Sequence, residues 1–121
     1  MATSWSTTAG NAALTTLLGT YTWVQLHIGN PGAAGTSNPA AETTRHQVTW
    51  SAVSGGAASN SADIVWTGVA ATEDYTFITV WSASTAGTFG MSGTVTANAV
   101  SAGDTFTISA GGVTVSLTLA S

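Results

Sequence analysis

The sequence predicts an all-β protein: a single antiparallel β-sandwich of about seven strands with a short N-terminal helix or arm. Three observations predict it. Apolar and polar residues alternate with period two along much of the chain, most cleanly in Val113-Thr114-Val115-Ser116-Leu117-Thr118-Leu119. Clusters of Gly, Asn, Asp and Ser break the alternation at close intervals, the spacing of a sandwich rather than of βαβ units. The length, 121 residues, is enough for one core and not for two, so residues 1–121 read as one domain.

Residues 1–6 read as an arm, polar except for Trp5, with no strand partner in the pattern. Residues 7–19 are the one helix candidate. Ala13, Leu14, Leu17 and Leu18 recur at helical spacing, and Gly19 is the expected stop. The sandwich then occupies 22–120. In 22–28, Val24, Leu26 and Ile28 share one face, and Trp23, Gln25 and His27 the other. Residues 29–40 form a Gly/Pro/Asn loop. A strand is predicted over 47–52, with Val48, Trp50 and Ala52 on one face, and a turn cluster over 54–60. Further strands are expected around 62–67, 75–82, 88–97, 104–109 and 113–119, with turns at 102–104 and 110–112.

Charged residues make up only 5% of the chain, against roughly a quarter in ordinary domains. There is one Arg and no Lys, and the net charge is −4. Such a chain is a poor direct partner for nucleic acid or an anionic membrane. Its Thr-, Ser-, Ala- and Gly-rich surface suits packing against copies of itself or a larger assembly. The absence of cysteine removes disulfides, thiolate zinc sites and Cys nucleophiles. No apolar run is long enough to cross a membrane as a helix, and the N-terminus lacks the pattern of a secretory signal. The expectation is synthesis in a host cytoplasm and incorporation into a particle.

No catalytic, cofactor or metal site is predicted. His27 and His46 stand among so many hydroxyls that a neighbouring Ser carries no information, and no G-x-S-x-G elbow is present. Both are read as hydrogen-bonded structural or surface groups. The acids are Glu42, Asp63, Glu73, Asp74 and Asp104; Glu73-Asp74 reads as a loop pair and Asp104 as a turn residue. They do not follow a calcium-loop pattern. Gly29, Gly32 and Gly35 follow a strand but lead into Thr-Ser-Asn-Pro, not into the helix that a phosphate loop needs. Of the five tryptophans, three or four are expected in the core. Trp5 and Trp23 are the candidates for partner contact. Arg45 is a third, pairing with Glu42 or with an acid on a neighbouring subunit.

The run Val24-Gln25-Leu26-His27-Ile28-Gly29-Asn30-Pro31-Gly32, followed by Ala-Ala-Gly-Thr-Ser-Asn, resembles an LHxGxPG…GxxN signature. That signature belongs to small virion proteins of bacteriophages that infect actinobacteria and some other hosts, of tail-fibre or head-accessory type. The likeness continues through Arg45–Ala52, Gly55–Asn60, the VWSASTAGT segment at 80–88 and Ala102–Phe106. Ile28, where Thr or Ala is expected, and Thr44, where an aromatic is expected, depart from it. The resemblance implies a non-enzymatic virion component and supplies no catalytic residues.

The leading expectation is a surface-displayed capsid decoration protein that binds the major capsid protein and forms homo-oligomers. The chain has no coiled-coil or repeat stalk, which favours the head. One alternative is a tail-fibre or minor tail protein bound to tail proteins. The other is a carbohydrate-binding module that recognises a host-surface glycan on Trp5 or Trp23.

Overall fold

A computed structural model describes residues 5–117 and 119. It is all-β and antiparallel, with one N-terminal helix. Residues 1–4 of the predicted arm, and Thr118 of the last alternation, lie outside the described residues. The elements are α1 (Thr7–Thr20), β1 (Trp23–His27), β2 (His46–Gln47), β3 (Ala57–Ser59), β4 (Ile64–Trp66), β5 (Glu73–Trp81), β6 (Phe89–Val100), β7 (Phe106–Ile108) and β8 (Thr114–Ser116). They form a four-stranded sheet, β2-β1-β5-β6, and two ribbons, β3-β8 and β4-β7.

Helix α1 starts at Ser6, whose hydroxyl accepts from the Ala9 N–H (3.1 Å). Gly19 does not stop it. The helix runs on to Thr20 and ends where Tyr21 turns extended and Thr22 N–H bonds to Trp81 C=O (3.2 Å), so strand pairing sets the boundary. Leu14 and Leu18 are buried with Ala58 against Trp50, Val53, Val115 and Leu117, which seats the helix on the β3-β8 ribbon. Each such buried leucine stabilises the fold by about 1.5–3 kcal/mol. Asn11 adds a polar tie, its side-chain oxygen accepting from Gly56 N–H (2.7 Å).

The larger core lies between the four-stranded sheet and the β4-β7 ribbon. Val24 and Leu26 of β1 stand opposite Val80 and Ile78 of β5, and all four are buried. They meet Ile64 and Trp66 of β4 and Phe106 and Ile108 of β7. Tyr75, Phe106 and Trp66 pack ring on ring, with centroids 5.0 and 5.8 Å apart. Trp66 and Trp81 are buried and Trp23 and Trp50 half-buried, while Trp5 stays half exposed.

Four local expectations are corrected. Ile28 is exposed rather than aligned with Val24 and Leu26, because β1 ends at His27 and the chain turns out. The predicted strand over 47–52 pairs with β1 only at His46–Gln47. Val48 N–H still bonds to Thr22 C=O, just before β1, and the chain then crosses to the ribbon, where Ser51 N–H bonds to Ser59 C=O (both 2.7 Å). The turn cluster at 54–60 narrows to Gly55-Gly56, both left-handed (φ 59° and 72°), in a hairpin closed by paired Ser54–Ala57 bonds; Ala57–Ser59 then become β3. Glu73-Asp74 is not a loop pair but the start of β5, opposite Val100 and Ala99.

Candidate functional site

The sheet has two unlike faces. Val24, Leu26, Ile78 and Val80 point into the core. Trp23, Gln25 and His27 point the other way and stand opposite Trp81, Thr79 and Phe77 of β5. Two loops lie over this second face: residues 28–40 at one end and 82–88 at the other. Trp23, His27 and Arg45, all singled out in the sequence, meet here, whereas Trp5 lies on the helix side.

His27 is buried beneath the first loop. Its Nδ1 is 2.9 Å from Ser37 C=O, which can only accept, so Nδ1 carries the proton. Nε2 therefore accepts from the Thr79 hydroxyl (2.9 Å), and the Thr79 oxygen accepts from Trp81 Nε1–H (2.7 Å). Burial lowers the His27 pKa and the Arg45 charge adds to the effect, against an opposing pull from the Ser37 and Asn38 backbone. Both ring nitrogens and the nearest hydroxyl are engaged inside the fold, so this pair is not a base and nucleophile open to substrate. The loop closes itself around His27. Asn30 Oδ1 accepts from Gly32 N–H, and Asn38 Nδ2 donates to Asn30 C=O (both 2.9 Å). Gly35 (φ 74°) has no room for a Cβ, because the Phe89 ring lies under it.

Arg45 is held at the other end. Its Nε donates to Gln25 Oε1 (3.1 Å), and Nη1 donates to Ala83 and Ala86 C=O (2.9 and 2.8 Å). The guanidinium lies over Trp81, 4.2 Å from the ring centroid. The expected Glu42 partner is engaged elsewhere, its Oε1 accepting from Ala70 N–H (3.0 Å). Ala86 is left-handed (φ 55°), an uncommon conformation for alanine, in the turn that brings its carbonyl to Arg45. Segment 42–46 alternates between two open clefts. Glu42, Thr44 and His46 face one with Trp66, Thr67 and Gly68; Thr43, Thr44 and Arg45 face the other with Ser84, Thr85 and Ala86.

The acids do work that the sequence did not announce. Glu73 accepts from Ala41 N–H with both oxygens, Asp63 from Ala110 N–H and Asp104 from Ser101 N–H, each at 2.9 Å. Together with Glu42 they cap loop amides, and Asp104 fills the predicted turn role. Buried Asn60, not singled out in the sequence, is fully bonded: Nδ2 donates to Ala62 and Ser109 C=O, and Oδ1 accepts from Val113 N–H. Its position in a Ser-Asn-Ser run could have pointed to a turn, but not to burial. Trp5 is half exposed, and its backbone forms a parallel bridge with Leu119, so the expectation of no strand partner is corrected.

A family described as "Podophage GP4 fiber I protein gp80" matches residues 4–116, and the chain belongs to that family. It is a structural protein of bacteriophage virions. No curated protein matches the chain at a significant level.

Proposed function

We propose that the chain is a non-enzymatic subunit of a virion fibre. The observation that carries the reading is the family match, which spans the described fold almost end to end and whose name is that of a fibre protein. The sequence expectation leaned to capsid decoration. The family supports the fibre alternative and lends that leaning nothing.

Two features support association with copies of itself and with other virion proteins. Strand β6 is the outer strand of the four-stranded sheet among the described residues. Its twelve residues, FGMSGTVTANAV, contain no charge and no proline, the usual guards of a free edge. The second feature is Trp5. A half-exposed indole beside the helix start is the form of anchor that fills a pocket on a neighbour.

Gold-labelled antibody against the chain, imaged on intact particles by electron microscopy, tests the reading. Label along fibres is expected, and label confined to the head lattice would overturn it.

A further inference from the structure

Arg45 is the chain's only Lys or Arg. It is half-buried, yet its three bonded N–H groups all go to neutral acceptors. Among the described residues no carboxylate pairs with it, and the two N–H groups of Nη2 have no acceptor. An unpaired, partly desolvated cation is costly, and the Trp81 face offsets only part of that cost. The free Nη2 edge belongs to a fork already fixed by three bonds and a ring, so a ligand would not have to order it.

The cleft beside this group has a volume of about 510 Å³ and is walled by Thr43, Thr44, Ser84, Thr85 and Ala86. A planar guanidinium edge fits a carboxylate. Hydroxyl groups, each able to donate and accept, fit a ligand dense in hydroxyls. A single guanidinium edge, in a chain with no other Lys or Arg, suits one carboxylate set among neutral hydroxyls better than a run of phosphates. We propose that this cleft binds an acidic saccharide, with a sugar carboxylate on the Nη2 edge of Arg45 and ring hydroxyls on the Thr and Ser side chains. The proposal rests on the fibre reading for the source of the sugar, a host-surface polysaccharide.

The test titrates oligogalacturonate, oligosialic acid and hyaluronan fragments into the full chain at low salt, followed by calorimetry and tryptophan fluorescence. At least one acidic saccharide should bind, and its neutral methyl ester should bind about ten- to a hundredfold more weakly. Arg45→Gln should abolish binding. Arg45 also holds loop 82–88, so Thr85→Glu provides a second variant: it keeps Arg45 and places a competing carboxylate in the cleft. It should abolish binding while leaving the melting temperature unchanged or higher. Binding by none of the three, equal binding of the esters, or undiminished binding by both variants would overturn the proposal. Equal binding of a glutamate-rich peptide would also overturn it, in favour of a protein acid as ligand. Particle labelling is independent: a chain that labels fibres but binds no saccharide removes the cleft proposal and leaves the fibre reading standing.

Discussion

At His27 the two ring nitrogens meet opposite demands: Nδ1 must donate to Ser37, so Nε2 must accept from Thr79. A second ring proton would leave the Thr79 hydroxyl, which already accepts from Trp81, in need of a new acceptor inside the fold. The folded-state pKa lies below the ordinary histidine value because burial, and then Arg45, disfavour the charged ring. The unfolded chain therefore binds the proton more readily. Stability from this group is complete above the ordinary histidine pKa of about 6.5 and is lost as pH falls from there through the lower folded-state value. Urea unfolding followed from about pH 7.5 downward through about pH 5 should show stability falling with pH. The fall should persist in His46→Gln, and a flat profile in that variant would refute the assignment. Trp5 makes the opposite kind of contribution. With half its surface exposed, Trp5→Ala should leave thermal stability nearly unchanged and cost about 2 kcal/mol or more in docking to the particle. A stability loss of about 3–5 kcal/mol would instead place the ring in the core.

Among the elements, β6 carries the clearest expectation. If its outer edge pairs with a neighbouring copy, one lysine there should interrupt the pairing. Thr94 is exposed, so Thr94→Lys should leave the monomer's melting unchanged and shift sedimentation toward monomer. An unshifted oligomer would rule this edge out. The long elements were legible in sequence because their periodicity is strong: α1, β1, β5 and β6 fall within a few residues of their predicted spans. β3 was missed because Ala57, Ala58 and Ser59 are all small and show no contrast between faces. The segment after β2 was over-extended because its alternation serves two partners, the start of β1 and Thr22 before it as far as Val48, then Asn60 and Ser59 at the end of β3 from Trp50. On the second sheet face, Trp23 and Arg45 were visible as candidates. The Arg45–Trp81 stacking was not, because nothing in the sequence ties position 45 to a loop some forty residues later.

At the scale of the whole molecule the scarcity of charge sets the behaviour in solution. Contacts with other virion proteins must come from apolar burial and neutral hydrogen bonds, which ionic screening barely reaches. Particles washed in about 1 M NaCl should therefore retain the protein, and its release by salt alone would contradict this. Arg45 also has a meaning for proteolysis. Trypsin cuts after Lys or Arg, and this chain offers it one bond, Arg45–His46. That bond lies at the start of β2, with the side chain that must enter the protease pinned to Gln25 and to two carbonyls of loop 82–88. The native protein should be inert to trypsin and should yield two fragments, 1–45 and 46–121, only when that clamp opens. The cleavage rate, measured against denaturant, then becomes a gauge of how often one end of the sheet lets go.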